Sequence, residues 1–173
     1  MRPTAPHGSG DGSGRPDAGE GDTPTRRSVR RVDAVRLLLG ASYLLGALVH
    51  VLLGLRAPET YAEFADLTPW AAYGEAWRAF VVPNLGVLQP LVVLFELTVG
   101  LALLVRGRAV RAGHAGGAVF QLALVPSGPW GVINLGLAAV HTASLRASYP
   151  ASAVDLVRRR SSGRRPLPDG NTR

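Results

Sequence analysis

Apolar and polar positions alternate in long blocks along this chain. "AVRLLLGASYLLGALVHVLLGL", residues 34–55, is long enough for a helix crossing the roughly 30 Å hydrocarbon layer of a bilayer. A second apolar block opens after "VPN" and covers about 84–105. Another, "WGVINLGLAAVHTASLRA", covers about 130–147. Between these two, "AGHAGGAVFQLALVPSG" is shorter and richer in glycine. Its turn, "VPSGPWG", cannot continue a helix, and an irregular loop facing lipid at that depth would leave backbone groups unpaired. The pattern therefore predicts an all-α fold, a four-transmembrane-helix bundle with spans at about 34–55, 84–105, 112–127 and 130–147. A basic flank ahead of the first run also resembles a signal peptide. That run is too long for a typical signal core and "GLR" is a poor cleavage site, so an uncleaved span is expected.

The segment between the first two spans, 58–81, reads as an outer interfacial amphipathic helix. In "LTPWAAYGEAWRAF", Thr68 suits a helix cap with Pro69 at the first position. Trp70, Tyr73, Trp77 and Phe80 then recur at helical spacing on one face, which suits the outer headgroup level and a lid over the bundle. Residues 1–33 are rich in Gly, Pro, Ser and Asp and predict a disordered cytoplasmic tail, in which His7 is solvated. Residues 149–173 read as a basic cytoplasmic tail.

Charge orients these elements. Arg26, Arg27, Arg30, Arg31 and Arg36 precede the first span, Arg106, Arg108 and Arg111 fill the turn after the second, and Arg146, Arg158, Arg159, Arg160, Arg164 and Arg165 follow the last. The first loop carries Arg56 and Arg78 against Glu59, Glu63, Asp66 and Glu75. The positive-inside rule then predicts a multi-pass plasma-membrane protein with both termini cytoplasmic. The net charge of +7 is spent flanking apolar segments, so lipid headgroups are the expected counter-ions and nucleic acid is not an expected partner. With no cysteine, the chain excludes disulfides, thiol redox chemistry, covalent c-type haem and cysteine-ligated iron–sulfur clusters. Walker, GxGxxG and HExxH patterns are absent, no metal cluster stands at a recognisable spacing, and no catalytic residue is assigned.

One acid interrupts the apolar pattern. Glu96 lies inside "VVLFELTVGLALLV", and an ionisable group at mid-membrane faces a bundle interior or a cavity. By the helical rise of 1.5 Å, Glu96 lies about 13 Å from the inner end of its span, level with Tyr43 and Gln121. His50, Gln89 and Asn134 form a second layer nearer the outside, and His141 lies toward the cytoplasm. Ser42, Gly46, His50 and Gly54 make a small-residue stripe that lets a neighbour approach. Gln89, Glu96 and Gly100 share one face, as do Gly113, Gly117 and Gln121, and Asn134, Ala138, His141 and Leu145. The expected state of Glu96 is a neutral acid bonded to Tyr43 or Gln121. His114 is placed at the inner boundary.

At "FELTVGLALLVRGRAVRAGHAGGAVFQLAL" the chain resembles the DoxX-like membrane proteins, in Glu96, Gly100, the leucines at 101, 103 and 104, and the turn from Arg106 to Arg111. The first span fits the same habit, with spaced glycines and His50 near its outer end. The similarity covers about 34–147. It implies four spans and an association with membrane redox systems, some of them quinone-linked. Three function classes follow: a redox-associated subunit binding a quinone-like molecule among Glu96, Tyr43, Gln121 and His141; a non-enzymatic scaffold or regulatory subunit of a larger complex; and a small transporter or proton pathway. The expected partners are the bilayer and either another membrane protein or a second copy. A b-type haem is disfavoured, because His50 and His141 lie some 15 Å apart by the helical rise, although spacing alone does not dismiss His114 with His141.

Overall fold

The computed structural model describes residues 24–162 except Pro129, with side chains over 31–161 apart from residues 129 and 160. The tail expected to be disordered lies outside the described residues over 1–23, His7 included, as do residues 163–173 of the basic tail.

The described chain is all-helical. Helix α1 (Pro24–Arg56) starts ahead of residue 34, taking in the arginine-rich segment assigned to the tail. Proline suits that first turn, where no intrahelical donor is needed. A short α2 (Thr60–Leu67) follows, then α3 (Ala71–Ala76). After α3 the chain stays helical up to Asn84, which alone departs, at φ -106° and ψ 13°. One widened turn (Trp77–Val81) and one tight turn (Val82–Asn84) lead into α4 (Leu85–Leu104). Pro83 lacks the N–H that a regular turn would use, which accounts for the change of pitch there. The expected separate interfacial helix is therefore the upper part of a helical rod from Ala71 to Leu104. The rod begins at Ala71, with Trp70 in the cap position; Thr68 instead donates its hydroxyl to the Pro126 carbonyl at 2.8 Å.

A turn through Gly107, at φ 69°, reverses the chain into α5 (Arg108–Ala123). Another through Gly128, at φ 101°, leads to α6 (Gly131–Ser144). The stretch after Tyr149 is not a free tail: Tyr149 and Ala151 are buried, and α7 (Ala153–Ser162) follows. Ser152 caps α7 and Asp155 reciprocates, a pairing legible in "SAVD".

Helix α4 packs between α1 and α5, and α6 packs on α5. Helices α1 and α4 run antiparallel. Their backbones come close at Gly40 and Gly100: a methyl on Gly40 would stand 3.2 Å from the Gly100 carbonyl. Gly46 and Gly54 make room instead for the Glu96 and Gln89 side chains. Ser42 faces outward, so the expected stripe shifts to include Gly40. Tyr43 closes the ring by reaching α5 and α6. Two stretches, Arg31–Arg56 and Ala71–Leu104, are long and apolar enough to cross a bilayer; α6 is apolar but shorter.

Candidate functional site

Polar side chains collect inside the bundle in two groups. The first lies toward α2 and α3. Glu96, 6% exposed, rests its carboxyl against Gly46, where an added Cβ would meet Oε1 at 2.8 Å. Its Oε2 has no hydrogen-bond partner and stands 3.9 Å from His50 Nε2. His50 Nδ1 lies 2.7 Å from the Tyr61 hydroxyl, and the two rings stack at 5.9 Å. Burial raises the Tyr61 pKa, so its phenol keeps its proton, with His50 Nδ1 and the His50 carbonyl, at 3.5 Å, both in its reach. Nε2 is the nitrogen turned toward Glu96. Gln89 donates to the His50 carbonyl at 2.7 Å and so braces the same turn of α1.

Above this group lies a cavity of about 330 Å³. Its wall is mostly carbon, with Tyr61, Phe64 and Trp77 on one side and Phe120 and Leu88 on the other. His50, Gln89 and Asn134 bring polar groups to it. The aromatic stripe is divided by this arrangement. Tyr73 and Trp77 turn inward, Trp77 donating its indole N–H to the Tyr61 carbonyl at 2.7 Å, while Trp70 and Phe80 stay exposed.

The second group runs toward the α4–α5 turn as a continuous chain. Gln121 donates to the Tyr43 hydroxyl at 3.2 Å. That hydroxyl lies 3.4 Å from both the Gly117 carbonyl and His141 Nε2. His141 Nδ1 faces His114 Nδ1 at 3.0 Å. His114 Nε2 lies 3.1 Å from the Tyr149 hydroxyl, which donates to the Ser144 carbonyl at 2.8 Å. Both imidazoles are fully buried. Gly117 is required beneath His141, because any Cβ there would run into the ring.

Arg36 closes this end. It is fully buried, pairs with Asp33 at 3.0 Å, donates to the carbonyls of Val105 and Ala151, and lies 5.3 Å over the Tyr149 ring. Burial is the main cause raising the Tyr149 pKa, against the lowering effect of Ser144 and Arg36, so its phenol also stays protonated.

These positions sort the expected residues. Tyr43, Gln121 and His141 come together. Glu96 lies one turn of α1 away, against Gly46, and bonds to neither Tyr43 nor Gln121; its near neighbour is His50. Gln89 and His50 are joined, whereas Asn134 donates to the Leu124 carbonyl at 3.0 Å and shares only the cavity with them. The open volume lies beside His50, Gln89 and Asn134, while Tyr43, Gln121 and His141 fill their own space. His114, placed at the boundary, is central, because α5 begins at Arg108 and carries it two turns inside. Its spacing to Gly117 and Gln121, three and then four residues, is the signal that marks it. Tyr149, Tyr61 and Arg36 were not singled out, since only the folded chain brings a loop residue or a flanking arginine into the interior. His114 and His141 bond each other directly and each gives its second nitrogen to a tyrosine, a donor set that does not fit two axial ligands of one haem.

Among the described residues no cluster of three or more metal-ligating side chains occurs. The chain matches no known family model, no curated protein and no solved structure.

Proposed function

We propose that this is a four-span plasma-membrane protein, both termini cytoplasmic, whose cavity beneath α2 and α3 binds a lipophilic molecule with an oxygen-bearing head, of the quinone class. The observation that carries the reading is an inverted distribution of polarity. Arg36, Glu96, His114, Gln121, Asn134 and His141 are buried, while Leu38, Leu45, Leu94, Val119, Val132 and Leu135 are exposed on the outer faces of all four long helices. In water that arrangement exposes apolar surface on every side. In lipid it is what a polar-cored bundle requires.

Helices α5 and α6, of 16 and 14 residues, are about 24 and 21 Å long by the helical rise. Such short spans are accommodated by thinning of the bilayer around them. A DoxX-like character of 34–147, proposed here from the sequence pattern alone, would carry the same count. The cavity has the make-up of a lipophilic ligand site, with aromatic walls and a few convergent polar groups. Any electron exchange would be supplied by a partner protein, since the chain has no thiol.

Trp77 and Trp130 line the cavity and report its occupancy. Titrating a short-chain quinone into purified protein is expected to quench tryptophan fluorescence saturably. Val92→Trp, which fills the cavity, should weaken that binding at least tenfold. Unsaturable quenching, with no quinone in an organic extract of the protein, rejects the ligand class.

A further inference from the structure

The chain Tyr43–His141–His114–Tyr149 has a property beyond ligand binding. Each member both accepts and donates, and each neutral imidazole carries one N–H. The Nδ1–Nδ1 contact admits one hydrogen, so the two histidines are obliged to be opposite tautomers. Two complete orderings follow. In one, Tyr43 donates to His141 Nε2, His141 Nδ1 to His114 Nδ1, His114 Nε2 to Tyr149, and Tyr149 to the Ser144 carbonyl. In the other the three bonds between side chains are reversed, Tyr43 turns its hydrogen to the Gly117 carbonyl, and the Ser144 carbonyl gives up its donor. A carbonyl waits at each end to receive the last hydrogen. Neither ordering leaves a member of the chain unpaired.

Both ends meet a charged or ionisable pair. Next to Tyr43, the Glu96 carboxyl lies one turn along α1, with Oε2 unpartnered and His50 Nε2 at 3.9 Å. Gln121, which holds Tyr43 in place, also leaves its Oε1 buried and unpartnered. Two buried acceptors without a partner, one on the residue that bonds Tyr43 and one a turn of α1 away, mark this end of the chain as a place where a mobile donor enters. Next to Tyr149 stands Arg36, which in turn pairs with the partly exposed Asp33.

We propose that Tyr43, His141, His114 and Tyr149 form a proton relay running from the Glu96–His50 pair beneath the cavity to the Arg36–Asp33 pair at the α4–α5 end. One proton arrives at the Tyr43 oxygen as its own proton passes to His141 Nε2. The His141 Nδ1 proton passes to His114 Nδ1, the His114 Nε2 proton to the Tyr149 oxygen, and the Tyr149 proton leaves to a water at the Arg36–Asp33 end. One proton enters, one leaves, and the ordering is inverted. Both rings must reorient before a second proton follows in the same direction, so the relay turns over slowly and is not a channel. It rests on the four-span reading and is independent of the quinone reading.

The test uses full-length protein in quinone-free liposomes holding a pH-sensitive dye, with a potassium diffusion potential driving protons inward. The wild type is expected to acidify the lumen faster than protein-free vesicles. Tyr43→Phe and Tyr149→Phe keep each ring and remove the relaying oxygen, and each should lower the flux at least tenfold. Tyr73→Phe, outside the chain, should leave it unchanged. Flux equal to the wild type in both relay variants, or no wild-type flux in vesicles whose protein spans the membrane by protease protection, overturns the relay. Nitrogen NMR of histidine-labelled protein in detergent reads the same chain without a membrane. Opposite tautomers at His114 and His141 support it, and identical tautomers sink it.

Discussion

Arg36 donates to the Ala151 carbonyl at 2.6 Å, tying the first helix to a residue 115 positions along the chain. The same guanidinium reaches Val105 and lies over Tyr149, so one side chain clamps α1, the end of α4 and the segment ahead of α7. Its planar fork serves two carbonyls at once, which an ammonium does not reproduce. Arg36→Lys is expected to cost about 2 kcal/mol, the order of one or two hydrogen bonds to a charged group. The readouts are a lower Tm in detergent and faster protease cleavage near Tyr149. An unchanged cleavage rate would show that the clamp does not hold this segment.

Three glycines should respond very differently to alanine. At Gly128 the backbone is left-handed and a Cβ would press on the Leu67 carbonyl, so strain has no relief; a loss of about 2 kcal/mol is expected. At Gly46 the obstacle is the mobile end of Glu96, so Gly46→Ala should cost about 1 kcal/mol or less while displacing the carboxyl. At Gly136 nothing lies within 4 Å, and alanine should stabilise α6 by up to about 1 kcal/mol through helix propensity. Thermal unfolding of the three variants in one detergent checks the order.

The start of α7 should be sensitive to acid. The backbone and then the hydroxyl of Ser152 hold the Asp155 carboxyl below its ordinary value of 3.8. A depressed acid contributes stability that is present above its unfolded pKa and lost as pH falls through the folded one. Amide protection in α7 should therefore be flat from neutral pH down to about 5 and fall below about 4. Ser152→Ala should lower the neutral-pH protection and remove most of this acid dependence. Protection that is unchanged on acidification would mean that the cap does not hold α7.

Membrane orientation is open to direct labelling, because the natural chain has no cysteine to interfere. Glu63→Cys, on α2, should react with a membrane-impermeant maleimide from outside intact cells. Arg106→Cys, in the α4–α5 turn, should react only after the membrane is opened. Equal reaction of both without permeabilisation would place the two ends of α4 on one side and remove the four-span arrangement.

The inward faces were legible in the sequence to an unusual degree. Glu96, Gly100, Gly113, Gly117, Gln121, Asn134, Ala138 and His141 were assigned inward by spacing alone and are buried, whereas Gly46, His50, Gly54, Gln89 and Leu145, assigned with them, are half-buried and Ser42 is exposed. Helical periodicity sets a side chain's direction locally, and a polar residue in an apolar run has only one stable side to face. Boundaries were less legible. The starts of α1 and α5 moved earlier, since arginine-rich flanks break the apolar pattern without breaking the helix.

What this sequence determines by itself is therefore the helical class, the direction each polar side chain takes, and which residues are barred from lipid. Only the tertiary structure decides who meets whom. Depth counted along separate helices put Glu96 level with Tyr43 and Gln121, but a register offset and the gap at Gly46 turn it toward His50 instead. His114, His141 and Tyr149 lie on three different segments, and no local pattern relates them. Their hydrogen bonds arise when α5, α6 and the returning chain pack together, a relation set by contact between distant parts of the chain and so not written in any stretch of it.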